Sequence, residues 1–156
     1  MIFELYNIYI KTVKDFKMKI VITFGTFDLF HIGHLNILER ASRLGDKLIV
    51  GISSDKLNNE KKQRKPIYTC EERMRIIESL KCVDQVFCEE SLELKPEYCK
   101  QYSANLMVIG DDWKGKINHT GKTFDQQLDG ICDVQYLERT PSISTTQLIE
   151  QISTLN

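Results

Sequence analysis

The segment Gly25-Thr26-Phe27-Asp28-Leu29-Phe30-His31-Ile32-Gly33-His34 holds the densest set of chemistry-bearing residues in the chain. Two histidines at H-x-G-H spacing can both aim a ring N–H at one oxyanion. There they would stabilise charge that builds on a phosphoryl group in its transition state. Gly25 and Gly33 let the backbone approach a ligand. The segment follows an apolar run and opens a helical pattern, and a helix N-terminus offers unpaired amides and positive potential to a phosphate. Two other readings compete. One histidine could cap the helix while the other packs, or the histidines and Asp28 could form a metal site. The metal reading lacks a third ligand, because His119 is isolated far along the chain.

Three further clusters bear on the same chemistry. Arg139-Thr140 and Ser144-Thr145-Thr146 form a second candidate phosphate site. Ser144 can cap the last helix, with hydroxyls and amides facing an anion, and Arg139 adds a planar cationic fork. Plain capping accounts for the same residues and uses the same geometry. In Gly110-Asp111-Asp112-Trp113 an acidic pair could bind Mg²⁺ or hydrogen-bond a ribose, and Trp113 reads as a structural anchor. The charge run Glu60-Lys61-Lys62-Gln63-Arg64-Lys65 reads as a loop before Pro66. Such runs are usually solvated, and Lys61 and Lys65 are read so. This run follows the second strand on the ligand side, so at least one member is expected to act. Asp55, just after that strand, can cap a turn or helix. No P-loop pattern occurs.

The elements that must position these residues alternate. Strand-like runs are Lys19 to Phe24, Leu48 to Ser53, Gln85 to Cys88, Leu106 to Ile109 and Val134 to Leu137. Helical patterns cover His34 to Leu44, Cys70 to Leu80, Pro96 to Tyr102 and Ser144 to Ile152. The strands are near-continuously apolar, as strands covered on both faces are. The expected fold is therefore α/β, a single domain with a Rossmann-like parallel sheet and helices on both faces. Ligands in such sheets bind at the carboxyl ends of the strands. A chain of 156 residues allows one domain of ordinary size. Residues 18–156 are assigned to a catalytic domain. Residues 1–17, with Ile2, Leu5, Tyr9, Val13 and Phe16 at helical spacing, are assigned to an arm. That arm is either an interface helix or a loose tail, and Met18 is an alternative start.

Composition removes other classes. With 21 basic against 22 acidic residues, the chain lacks the excess that general nucleic-acid binding requires. No apolar run approaches the roughly 20 residues of a spanning helix. Five cysteines without a C-x-x-C pair suit free thiols in a reducing cytoplasm. The expected protein is cytoplasmic, with neither membrane nor nucleic acid as partner.

GTFDLFHIGHLNILERA resembles the H-x-G-H segment of the nucleotidyltransferase superfamily. Three later segments agree with its cytidylyltransferase family. Tyr68-Thr69-Cys70-Glu71-Glu72-Arg73 with Lys81-Cys82-Val83-Asp84 resembles Y-x-x-x-E-R…R-Y-V-D. Gly110 to Trp113 resembles the G-D-D-W loop, and Arg139 to Thr146 resembles R-T-x-x-I-S-T-T. The resemblance implies transfer of CMP from CTP, with Mg²⁺ accompanying the nucleotide, to a small phosphorylated acceptor. Glycerol-3-phosphate or a related phosphorylated alcohol, amide or amino acid would serve, and pyrophosphate would leave. The product would feed surface-polymer or capsule synthesis, and the enzyme would be a homodimer. Catalytic roles fall by resemblance on His31, His34, Lys62 and Arg139. Nucleotide contacts fall on Thr26, Phe27, Gly33, Gly110, Asp112, Thr140, Ser144 and Thr145. Acceptor contacts fall on Asp28, Asp55, Arg64 and Lys81, with no protein-held metal. Two features depart from the family. Lys81 stands where Arg is usual, and the segment Lys116 to Asp133 is long and reads as a flexible polar loop. An adenylyltransferase using ATP and a non-catalytic nucleotide-binding protein are the alternatives.

Overall fold

Five apolar runs rich in Val, Ile and Leu build the sheet in the computed structural model, which describes residues 1–6, 18–62 and 65–155, without the side chains of residues 61 and 62. They are β1 (Ile20–Gly25), β2 (Lys47–Ser53), β3 (Gln85–Glu89), β4 (Leu106–Gly110) and β5 (Asp133–Leu137). All pairings are parallel, in the order β3-β2-β1-β4-β5. Ile22 of β1 lies opposite Ile49 on one side and Met107 on the other.

Successive residues of a strand face opposite sides of the sheet, so a run apolar at every position needs cover on both. Six helices follow from that requirement and from local capping. They are α1 (Ile32–Ser42), α2 (Asp55–Lys62), α3 (Cys70–Glu78), α4 (Lys95–Gln101), α5 (Phe124–Gln127) and α6 (Thr145–Ser153). Leu38 and Ala41 of α1 and Ile77 of α3 pack on Val21, Leu48, Val50, Ile52 and Val108. On the opposite face, Cys99 of α4 and Phe124 of α5 pack on Ile22, Ile49, Phe87, Met107 and Ile109. The expected single α/β domain with helices on both faces is what forms.

The chain leaves β1 toward β2 and β3 on one side, then crosses back to β4 and β5 on the other. The strand order therefore reverses between β1 and β4. A crevice opens there at the carboxyl ends, and it is where an open α/β sheet binds ligands.

Two segments differ from the sequence reading. The charge run does not start in a loop, because Glu60, Lys61 and Lys62 are the last residues of α2. Buried Leu57 and Asn58 pin that helix, and the Ser54 hydroxyl caps it by accepting the Leu57 amide. The segment Lys116 to Asp133 is not a flexible loop either. Thr123 and Gln126 form a reciprocal capping box that starts α5, and Phe124 and Leu128 bury their side chains. Asn118 is buried and braces the turn before α5, accepting from Thr120 and donating to Gln127. Of the N-terminal arm, residues 2–6 are helical with Ile2, Phe3, Leu5 and Tyr6 exposed, while Tyr9, Val13 and Phe16 lie outside the described residues.

Candidate active site

The crevice is a cavity of about 710 Å³, lined by the ends of β1 and β4, the β1–α1 loop and the start of α6. That size suits a nucleotide-scale ligand. The β1–α1 loop is strained. Phe27 and Leu29 adopt left-handed backbone conformations with φ of 52° and 45°, which side-chain-bearing residues hold only when surroundings over-determine them. Here they do. Both Asp28 carboxylate oxygens accept backbone amides, from Ile67 at 2.7 Å and Tyr68 at 3.0 Å. The Thr145 hydroxyl donates to the Asp28 carbonyl, and Arg73 donates to the Thr26 carbonyl.

This bracing places the histidines. His31 is the N-cap of α1, and its Nδ1 accepts the Gly33 amide at 3.1 Å. The ring proton then sits on Nε2, so one donor direction is set. Burial lowers the His31 pKa from its ordinary 6.5. His34 stacks on His31 with ring centroids 3.7 Å apart, and packs against Phe27 and Phe30. One histidine does cap and the other does pack, and both still line the cavity. The glycines line the cavity, and the packing of the two rings also requires them. A Cβ on Gly25 would meet the Phe27 ring at 2.7 Å, and one on Gly33 would meet the His31 ring at 2.9 Å.

The second cluster also converges. Arg139 grips Asp112 side-on, with Nε 3.0 Å from Oδ1 and Nη2 2.9 Å from Oδ2. Gly110 makes room for that pair, since a Cβ there would sit 2.6 Å from Asp112 Oδ1. Thr140 accepts from Asn36 of α1, which ties the Arg139 segment to the histidine helix. Ser144 caps α6 by accepting the Gln147 amide. Thr145 and Thr146, the first residues of α6, line the cavity, so its positive end opens there. Trp113 packs edge-on to Phe124, the anchoring role read for it.

Several expected site residues are placed differently. Asp28 is buried and each of its carboxylate oxygens accepts a backbone amide, so it staples the loop while it also lines the cavity. Asp55 accepts from Arg73 at 2.6 Å and from the Cys70 amide. Phe27 has a buried ring, which leaves mainly its backbone for a ligand. The Thr26 hydroxyl donates to Asn58, and the Thr145 hydroxyl is the one that holds Asp28. Lys81 does not reach the cavity. It lies in the turn before β3 enters at its amino end, and it lines a separate groove with Leu35, Glu39 and Arg43. The other residues of that motif share this edge, where Asp84 accepts the Leu48 amide. Arg64 and the side chain of Lys62 lie outside the described residues. Lys65, read as merely solvated, and His119, read as isolated, both line the cavity.

The structure adds a wall the motifs did not announce. Glu89, at the end of β3, and Lys95, opening α4, form a buried ion pair that lines the cavity. Glu89 also accepts from the Ser53 hydroxyl, and Lys95 sits 3.9 Å above the centre of the Phe24 ring. Burial pushes the Lys95 ammonium down, while Glu89 pulls it back up. Fully buried Arg73 donates to Thr26, Ser53 and Tyr68 carbonyls and to Asp55. Asn58 is buried between these and holds the Ser53 and Ser54 carbonyls. The sequence signal for Arg73 was its place in the E-R pair. Glu89 and Lys95 had none, since a Glu after a strand and a Lys before a Pro are ordinary.

Magnesium was tested against these donors. Asp28, Asp55, Asp112 and Glu89 each already hold a cation or backbone amides. Among the described residues no group of three His, Cys, Asp or Glu could hold a metal ion. The side chains do not fit a protein-held magnesium site.

A parallel sheet with a switch-point crevice, a capped histidine pair and a second helix N-terminus defines a nucleotide-handling α/β protein. The description Cytidylyltransferase-like matches residues 22–151, and the chain belongs to that family. It is 45% identical over 88% of its length to the whole of a glycerol-3-phosphate cytidylyltransferase from Bacillus spizizenii. It is 39% identical over 87% of its length to 94% of an FAD synthase from Thermococcus sibiricus. A lipopolysaccharide core biosynthesis protein from Thermoplasma volcanium shares the fold, with a TM-score of 0.65 at 21% identity over 78% of this chain and 98% of its own.

Proposed function

We propose that the chain transfers CMP from CTP to the phosphate of glycerol-3-phosphate, or of a similarly small acceptor, and releases pyrophosphate. The observation that carries this reading is the histidine pair, stacked at 3.7 Å in the cavity that also receives Arg139 and the start of α6. The likeness to the Bacillus spizizenii enzyme supports CTP and glycerol-3-phosphate.

The chemistry needs little from a base. The second pKa of a phosphate monoester is about 6, so the acceptor is largely dianionic at neutral pH. One of its oxygens attacks the α-phosphorus, and the bond to the bridging oxygen of pyrophosphate breaks. The protein must hold two polyanions in line and offset the charge on the transferring group. Neutral His31 offers its Nε2–H, aligned by the Gly33 amide. His34 is fixed beside it by Phe27 and Phe30. Arg139, held by Asp112, and the α6 amides take the leaving phosphates. Lys62 and Arg64 join them by resemblance alone. Magnesium would accompany the triphosphate and offset part of its charge. The Lys95–Glu89 wall is the polar face of the cavity assigned to the acceptor in this reading.

ATP in place of CTP is a second reading, favoured by the FAD synthase likeness. The test is pyrophosphate release with CTP and ATP against a panel of phosphorylated alcohols, amides and amino acids, with FMN included. CTP with glycerol-3-phosphate is expected to turn over fastest. Faster turnover with ATP overturns the base assignment. A homodimer and a cytoplasmic place of work belong to the same proposal, and sedimentation at working concentration tests the first. No helix of the described residues is long and apolar enough to cross a membrane.

A further inference from the structure

Five cysteines without motif spacing suggested isolated thiols, and all five are free. The fold nevertheless brings two of them into contact. Cys70 opens α3, and Cys88 sits on β3 opposite Ile52. Their sulfurs are 3.4 Å apart, and Cys70 Sγ also lies 3.9 Å from the Ile52 carbonyl. The helix start and the strand are thus both fixed against β2, so the contact belongs to the folded frame. A disulfide has its sulfurs about 2.05 Å apart, so they need to close by little more than about 1 Å. Both residues are only half-buried, which leaves them open to a small oxidant.

We propose that Cys70 and Cys88 form a redox modification site, which takes up an intramolecular disulfide from a low-molecular-weight disulfide and thereby slows the enzyme. The Cys70 thiolate attacks one sulfur of the oxidant, whose S–S bond breaks and releases one thiolate. The Cys88 sulfur then attacks Cys70 Sγ and displaces the second thiolate, which takes up the Cys88 proton. The two cysteines lose two protons and two electrons, and the oxidant leaves as two thiols. Burial, then hydrogen bonds to Cys70 and Glu90, push the Cys88 thiol up, which disfavours Cys88 as the first nucleophile. Cys88 Sγ donates to Glu90 Oε1 at 3.2 Å, which orients the thiol toward Cys70.

The link to turnover is positional. Cys88 precedes Glu89 of the Lys95 wall, and the Cys70 amide is held by Asp55, the partner of Arg73. Drawing α3 and β3 together strains both contacts. Cys99 and Cys132 also share a hydrogen bond, but Cys99 is buried out of reach. They provide the internal comparison.

The experiment treats the full chain with oxidised glutathione, alkylates remaining thiols and maps peptides by mass without reduction. A peptide carrying Cys70 joined to one carrying Cys88 is expected, both in the natural chain and in a Cys99→Ser/Cys132→Ser variant. Pyrophosphate release is expected to fall severalfold, to recover with dithiothreitol, and to resist the oxidant in Cys70→Ser. Glutathione adducts without the 70–88 link, or a 70–88 link that leaves turnover unchanged, overturn the proposal. The mass readout stands whatever the reaction proves to be.

Discussion

The cavity has two walls of different construction. The histidine wall runs from Gly25 to His34 and is completed by Arg139 to Thr146, stretches in which ligand-facing residues are near neighbours in sequence. The Lys95 wall gathers Ser53, Asn58, Glu89 and Lys95 from β2, α2, β3 and α4. The first wall holds its groups by local geometry, with a capped helix, a strained loop and stacked rings. The second holds them by burial, where an ion pair and a buried guanidinium persist only because each partner is satisfied. A transition-state donor needs fixed direction. On the proposed function the first wall supplies that direction, and the second presents a desolvated polar face.

The largest expected effect breaks the first wall. His34→Ala or His31→Ala should lower turnover by about 100-fold or more, the usual cost of losing a preorganised oxyanion donor, with an unchanged circular-dichroism spectrum. An unchanged rate would show that this wall only packs. Next comes the second wall. Lys95→Met/Glu89→Gln removes both buried charges together, and so avoids the about 3–5 kcal/mol cost of stranding one. It should raise KM for the acceptor by roughly tenfold while KM for CTP stays put. Equal rises in both constants would erase the division of labour between the walls.

Arg73→Ala joins the walls to a stability measurement. It removes the guanidinium from the Tyr68, Thr26 and Ser53 carbonyls, of which Ser53 keeps Asn58, and leaves Asp55 without its cation. A loss of about 3–5 kcal/mol in denaturant unfolding is expected, with Arg73→Lys between it and the natural chain. A smaller effect comes from pH. The folded His31 titrates below 6.5, so the unfolded chain binds more protons between the two midpoints. Stability therefore rises with pH through that window and is lost as pH falls through it. Turnover should fall in the same window as protonation breaks the Gly33 contact. A ring-proton NMR titration placing His31 above 6.5 would contradict this. The smallest effect is Lys81→Ala, expected to leave both substrates' KM values unchanged because Lys81 is at the opposite end of the sheet.

The legibility of the molecule follows the same division. All five strands and four of the helices announced themselves, because a buried strand must be apolar and a helix must show period and cap. The helix Asp55–Lys62 was hidden by its charged surface, being held by only Leu57 and Asn58. The histidine wall was legible because its chemistry lies within one decapeptide. The partners of Asp28 and Asp55 were hidden because a carboxylate's position in sequence does not say which amides it will meet. Lys81 was misplaced for a topological reason, since a residue just before a parallel strand lies at the end away from the ligand. Glu89 and Lys95 were invisible because nothing in a sequence marks a charge pair that the fold will bury. The contact of Cys70 with Cys88 was hidden in the same way.

The most direct measurement is pyrophosphate release from CTP with and without glycerol-3-phosphate, run in parallel on the natural chain and on His34→Ala. The expected result is release that requires the acceptor, yields CDP-glycerol by mass, and nearly vanishes in the variant. Release that ignores the acceptor, or that survives the loss of His34, would contradict the reading of this cavity as a cytidylyl-transfer site.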